Sequence, residues 1–345
     1  MSAGPLRHDP PGAPVLDVAG LTTEFTTRSG VFRAVDDLSF AVDPGECLGI
    51  VGESGSGKSV AVLSVMGLVS YPGRIAAGRI GFEGRELRGL PEADFRALRG
   101  ARMSIIFQDP QTSLNPLFTV GKQMTDVVHA HRDCGREEAR ALAIEKLTQV
   151  GVSSPEQRLR AYPWELSGGL RQRVAIAMAL LLDPRLVIAD EPTTALDVSI
   201  QSQIIDLLME LKDRLRFAMI FVSHDLGVIA NVADRMLVMY AGRAVEMGDA
   251  RKVLARPTHP YTAALIASAP TLKSDPARPL QSIEGSLPGP GQIPQGCVFA
   301  PRCGQVRPSC REAQPPLAPQ GPEPGRRTAC FFPIEAAGAG AYADE

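Results

Sequence analysis

The stretch GIVGESGSGKSV, residues 49–60, decides the fold. Gly52, Gly57, Lys58 and Ser59 occupy the fixed positions of the pattern G-x-x-x-x-G-K-[ST]. Glycines at 52, 55 and 57 let the backbone curl until its N–H groups approach an anion. The flanks agree. ECLGIV before the loop is an apolar run of strand length, and KSVAVLSVMGLV after it has helical spacing. A strand that ends in such a loop and continues as a helix places the positive helix N-terminus against phosphate. The pattern therefore predicts a nucleoside triphosphate site. Gly52, Ser54, Gly55 and Gly57 line the cradle, Lys58 reaches the outer phosphates, and the Ser59 hydroxyl ligates Mg²⁺. A plain Gly/Ser linker before a helix would not need all four fixed positions and both flanks to agree.

Outward from the loop, the chain has 345 residues, 44% of them hydrophobic, room for one large domain with an appendage or for two domains. The net charge of −2 gives no electrostatic case for a polyanion partner. No apolar run is long enough to cross a bilayer. The N-terminal MSAGPLRHDPPGAP is Pro-rich and lacks the apolar centre of a secretory signal, so residues 1–14 are expected to form a disordered tail of an intracellular protein. Strand patterns fill 15–50, a helical stretch at about 110–165 reads as an insertion, and after 167 helices alternate with strands such as LVIAD and FAMIFVS. That alternation predicts an α/β fold with a covered sheet. Composition shifts between 250 and 270. Thirteen of the 29 prolines follow residue 270, and Cys297, Cys303, Cys310 and Cys330 fall in the last 50 residues. Residues 15–255 are expected to form the nucleotide-binding domain and 256–345 an extension carrying a four-cysteine segment at 297–330.

RLVIADEP (185–192) is a buried-strand pattern ending in two acids. Asp190 at the strand tip suits the acid that holds Mg²⁺ beside a phosphate loop, and Glu191 is placed to orient or deprotonate the attacking water. LSGGLRQR (166–173) puts Ser167, Gly168 and Gly169 ahead of a long apolar-striped helix, a second anion-binding turn in a chain with one phosphate loop. Alone, it would read as an ordinary serine N-cap.

Together these motifs resemble the nucleotide-binding subunits of ATP-binding-cassette (ABC) proteins, in order and across nearly the whole chain. The resemblance implies a RecA-like core with an antiparallel β subdomain and an inserted helical subdomain. It implies that the SGG turn caps the γ-phosphate of ATP held by a facing subunit. Gln108 in IIFQDP resembles the Q-loop glutamine, which contacts Mg²⁺. Asp197 in TTALD resembles the D-loop that crosses the dimer interface, and His224 in FVSHD the switch histidine on the γ-phosphate. The adenine-stacking aromatic is expected at Phe25, with Phe32 as the fallback. Leu170 departs from the family, which usually has Gln or Met there; Ser167 and Gly169 supply the phosphate contacts, so activity is expected to survive.

FQDPQTSLNPLFTVGKQ (107–123), RPTHPYTAALIASAP (256–270) and the late cysteines resemble the oligopeptide and dipeptide importer branch, and KSVAVLSVMGLVSYPGR its D-type subunit. The resemblance implies two transmembrane permease subunits, a second and non-identical ATPase, an extracytoplasmic solute-binding protein, no nucleic acid, and a peripheral place on the cytoplasmic face of the cell membrane. It also implies a [4Fe-4S] cluster on Cys297, Cys303, Cys310 and Cys330. Their spacing, C-x5-C-x6-C-x19-C, contains no C-x2-C pair, so by itself it also admits zinc or free thiols. Disulfides do not suit a cytosolic chain. Two other readings compete: a soluble ABC ATPase acting on nucleic acid or ribosomes, and a redox-sensing tail. One cassette, no long heptads and no basic excess weigh against the first. The second would need a redox-dependent ATPase rate rather than loss of folding.

Overall fold

Two alternating patterns build two sheets. The computed structural model describes residues 13–28, 30–109, 113–194, 197–269, 283–289 and 292–334, with Val198 as backbone only. The expected N-terminal tail lies almost wholly outside them. β1 (Leu16–Thr27) and β2 (Gly30–Val42) pair antiparallel, with Phe25 opposite Phe32. β3 (Cys47–Val51) is buried along its length and leads through the glycine loop into α1 (Lys58–Val65). β4 (Gly73–Phe82) and the short β5 (Arg85–Glu86) complete an antiparallel sheet of order β2-β1-β4-β5. α2 (Glu92–Leu98) precedes β6 (Met103–Ile106).

Four helices follow: α3 (Val120–His131), α4 (Arg136–Gln149), the short α5 (Pro155–Arg158) and α6 (Gly168–Ala179). Then come β7 (Leu186–Asp190), α7 (Val198–Leu215), β8 (Ala218–Ser223), α8 (Leu226–Val232), β9 (Arg235–Tyr240) and β10 (Arg243–Asp249). After these lie α9 (Ala250–Ala255), α10 (Pro260–Ser268), α11 (Pro308–Glu312), β11 (Ala318–Pro319) and β12 (Arg327–Thr328).

The second sheet runs β11-β12-β10-β9-β3-β8-β7-β6, and β9, β3, β8, β7 and β6 are parallel. β3 shows why its sequence is apolar throughout. Leu48 and Ile50 enter the core shared with the antiparallel sheet, whereas Cys47 and Val51 enter the core beneath the helices. Successive side chains point to opposite faces, so a strand covered on both faces needs apolar residues at every position. The register sets Val51 beside Ser223 and Asp190 beside Val222, and β6 ends beside β7. The segments leaving β3, β6, β7 and β8 therefore emerge together at the carboxyl edge of the parallel sheet, where open α/β folds bind ligands.

The extension is not set apart from this sheet. β12 pairs with β10, setting Thr328 opposite Glu246 and Arg327 opposite Met247. Glu246 is fully buried. Its carboxylate accepts from the Thr258 N–H (2.9 Å), the Thr258 hydroxyl (2.7 Å), the His259 N–H (3.0 Å) and Arg326 Nη2 (2.8 Å). A buried carboxylate persists only when it is paired and hydrogen-bonded in this way. Composition alone marks an appendage; the backbone adds its strands to the same sheet.

Candidate nucleotide-binding and hydrolysis site

The loop between β3 and α1 is shaped by glycine where nothing else fits. Gly52 (φ 158°) and Gly57 (φ 100°) adopt backbone conformations that side chains rarely take. A Cβ at Gly52 would lie 2.2 Å from the Met239 carbonyl oxygen, and one at Gly57 2.3 Å from that of Ala34. Gly55 (φ 83°) has only Leu287 nearby, and Ser54 is exposed. The loop thus packs against β9 and β2 with no room for side chains, leaving its outer surface free for a phosphate chain.

Lys58 is buried, and its Nζ donates to the carbonyls of Gly52 (2.8 Å) and Glu53 (3.1 Å). Burial pulls its pKa down, opposed by the charges of Glu191, Asp190 and Glu53. The Ser59 hydroxyl donates to Asp190 Oδ1 at 3.1 Å. Burial raises the Asp190 pKa, the Ser59 hydrogen bond and Lys58 lower it, and Glu191 adds to the rise. A hydroxyl and a carboxylate in contact below the cradle form a hard oxygen pair, the donor chemistry that suits Mg²⁺.

Glu191 is the meeting point of the other segments. Its backbone sits at φ 47°, and its N–H donates to the Val222 carbonyl. Oε2 accepts from Gln108 Nε2 (3.1 Å) and from the Thr194 hydroxyl (3.0 Å), and lies 3.2 Å from His224 Nδ1. Oε1 lies 3.9 Å from Lys58 Nζ. The structure therefore brings together Lys58, Ser59, Gln108, Asp190, Glu191 and His224 from four places in the chain. Thr194 was missed: a threonine after the acidic pair carries no pattern of its own.

The remaining expected residues stand apart. Ser167 caps α6, its hydroxyl accepting from the Leu170 N–H at 3.4 Å, with Gly168 and Gly169 opening the helix. Asp197 precedes α7 and is exposed. Phe25 is half-buried, at the end of β1 paired with β2 and β4; its ring packs so closely on Gly73 that a Cβ there would lie 2.5 Å away.

The comparisons with known proteins bear on this arrangement. Residues 35–194 match the family model described as ABC transporter, and 245–310 the one described as Oligopeptide/dipeptide transporter, C-terminal region. The dipeptide transport ATP-binding protein DppD of Escherichia coli is 46% identical over 324 residues, 94% of this chain and 98% of that protein. The chain belongs to the oligopeptide/dipeptide ABC transporter family. Other members include the oligopeptide transport ATP-binding protein OppD of Salmonella typhimurium, 47% identical over 94% of this chain and 96% of that one. Among solved structures, the cassette MJ0796, in a dimeric post-hydrolysis state bound to ADP and Pi, matches with TM-score 0.61. It is 25% identical, over 68% of this chain and 98% of that one. The cassette cbiO1 of Clostridium perfringens matches with TM-score 0.59 at 26% identity, over 70% of this chain and 90% of that one. The ATP-binding cassettes of this family are ATPases coupled to transport.

One expectation is corrected. Cys297, Cys303, Cys310 and Cys330 do line one small cavity, together with His259, Phe299 and Phe332. Yet among the described residues no three His, Cys, Asp or Glu side chains are gathered closely enough to hold a metal ion. The [4Fe-4S] cluster is therefore not supported. The thiols share the lining of this hollow with aromatic side chains. Burial raises the pKa of Cys297, Cys303 and Cys330. Cysteine count and composition suggested a ligand set; they could not show the distances.

Proposed function

We propose that this chain is the ATP-hydrolysing subunit of an importer for peptides or related small solutes, bound peripherally at the cytoplasmic face of the membrane. The observation that carries this is the 46–47% identity to DppD and OppD, which runs through both the cassette and the C-terminal region. Among the described residues no helix is long and apolar enough to cross a membrane, which suits a subunit that docks on two permeases. A second ATPase and a solute-binding protein complete the assembly. No observation favours a nucleic-acid role.

The residues divide the work. Lys58 exchanges the Gly52 and Glu53 carbonyls for the outer phosphates of ATP, while Gly52, Ser54, Gly55 and Gly57 wrap the phosphate chain. Ser59, Asp190 and Gln108 would hold Mg²⁺, which when bound neutralises charge on the phosphate oxygens. Phe25 stacks on adenine. Glu191 takes the proton of the attacking water, and Gln108, Thr194 and His224 fix the carboxylate's direction. Ser167, Gly168, Gly169 and Asp197 lie outside this cluster because they serve the ATP of the facing subunit. Two chains closed on two ATPs would reopen when hydrolysis removes the γ-phosphate contacts that favour the closed state.

The test is a pull-down of tagged protein from gently solubilised membranes with mass spectrometry of the co-purifying proteins. Two multi-span permeases and a second cassette protein are expected. Recovery of ribosomes or DNA-repair proteins, or of nothing membrane-bound, would refute the importer.

A further inference from the structure

We propose that the C-terminal extension positions the phosphate loop by gripping Glu53, making Tyr261 and Arg302 positioning residues for ATP binding. The inference rests on reading residues 52–59 as the ATP phosphate loop.

Glu53 is held at four atoms. Its backbone N–H donates to the Tyr261 hydroxyl at 2.9 Å. Its carboxylate oxygens accept from Arg302 Nη1 at 3.1 and 3.0 Å. Its carbonyl accepts from Lys58 Nζ at 3.1 Å. One residue thus joins the extension to the lysine that must meet the outer phosphates. A displacement of the 53 peptide would move a Lys58 anchor directly.

The grip comes from a rigid source. The Arg302 side chain is only 6% exposed. Its Nε donates to the Glu284 carbonyl (2.8 Å) and its Nη2 to the Ile283 carbonyl (3.0 Å), and the guanidinium lies over the Tyr240 ring at 5.7 Å. Tyr261 is fully buried and packs on Tyr240 (4.7 Å) and Phe299 (5.4 Å between centroids). Phe299 lines the cysteine cavity, and Arg302 directly precedes Cys303, which also lines it. The cavity's packing therefore sets where both gripping groups stand.

Charge gives the grip a second consequence. Glu53 is an acid at the mouth of a site for polyanionic phosphate. Unpaired, it would repel the ligand; paired with Arg302, it presents little net charge. A charge-assisted bond in a partly buried place is among the stronger hydrogen bonds. The extension is thus part of what makes the loop receptive, and not only a weight carried by the sheet.

The experiment measures the Kd of mant-ATP with Mg²⁺, and the split between KM and kcat, on the purified full chain. Arg302→Ala is expected to weaken nucleotide binding about tenfold, the range of one charge-assisted contact. The kcat at saturating ATP should stay within about twofold, because Glu191 and its partners are untouched. Tyr261→Phe keeps the ring packing, removes one hydroxyl and is expected to weaken binding about threefold. In a Glu53→Gln background the Arg302→Ala effect on Kd should largely vanish, since no acid is left to neutralise. An Arg302→Ala chain that melts earlier but binds nucleotide normally, or whose effect persists undiminished with Glu53→Gln, would overturn the proposal. If Arg302→Ala does not fold, Tyr261→Phe and Glu53→Gln decide: unchanged Kd in both overturns it. Lys58→Ala separates the two readings. Unchanged binding there would refute the loop itself, whereas lost binding there with normal binding in Arg302→Ala refutes only the grip.

Discussion

At the phosphate-loop edge, Lys58, Asp190 and Glu191 each have a charged or hydroxyl partner, with separations from 3.0 to 3.9 Å. A short distance away, the cysteine cavity packs four thiols and a histidine among Phe299 and Phe332. Both regions bury titratable groups, and burial pushes Lys58 and Asp190 in the one, and Cys297, Cys303, Cys330 and His259 in the other, toward the neutral form. The outcomes differ because of partners. At the loop edge, opposite charges at Lys58, and the Ser59 hydroxyl with Lys58 at Asp190, oppose desolvation. At the cavity, burial raises the pKa of Cys297, Cys303 and Cys330 and lowers that of His259, and these groups pack uncharged. Buried ionisable groups signal chemistry when their neighbours favour the charged form, and packing when they do not.

The widest separation between the two regions is expected at Glu191. Glu191→Gln keeps the shape and removes the proposed base. Turnover should fall about 10³-fold, within the range of a lost general base, while ATP affinity stays within a few-fold and the closed dimer accumulates. ATPase rate and nucleotide affinity measured together check this. Near-normal turnover would remove the base from Glu191 and leave its four polar neighbours without a catalytic purpose.

These regions were unequally legible in the sequence. The loop, Asp190 and Glu191 at the end of β7, Gln108 and His224 follow local patterns, because a strand tip must present its residue at a fixed place beside the next strand. The parallel sheet was readable because its central strands, such as CLGIV, are apolar almost throughout and buried on both faces. The distances among the cysteines, the Arg302–Glu53 pair and the addition of β12 to β10 were not readable. They join residues 249 and about 80 positions apart with no periodicity between them. Charge alone did not mark Arg302 out among 36 lysines and arginines.

An intermediate effect is expected at His259, the histidine of the cavity. It is 1% exposed, and burial lowers its pKa from 6.5 to about 4, although its ring also hydrogen-bonds the Ala329 backbone. The unfolded chain therefore binds an extra proton between those values. Stability from this group is fully present above pH 6.5 and is lost progressively as pH falls toward about 4, by a total of about 3 kcal/mol. Nδ1 accepts from the Tyr261 N–H at 3.0 Å, capping α10. His259→Asn retains a capping oxygen and cannot titrate. Denaturant midpoints between pH 7 and 4.5 should fall less steeply in that variant. An equal slope in both chains would show that the cavity admits a charged imidazole, and the contrast with the loop edge would fail.

The smallest effect is expected at Leu170, directly after the Ser167–Gly169 turn. Its backbone N–H donates to the Ser167 hydroxyl at 3.4 Å, so the turn is formed by main chain and serine whatever side chain stands at 170. The leucine itself packs partly buried against the core beneath the helices. Leu170→Gln gives up some apolar contact and should cost less than about 1 kcal/mol of stability, as for a half-buried position. Turnover should change less than about twofold, because the phosphate contacts proposed for this turn come from Ser167 and Gly169. Steady-state ATPase assays in the assembled transporter check it, since the turn is proposed to serve the facing subunit's nucleotide. A rise above about tenfold would mean that the side chain at 170 touches that nucleotide or the loop holding it. The second anion-binding turn would then belong with Glu191 among sites set by side-chain chemistry, rather than with backbone cradles such as Gly52 and Gly57.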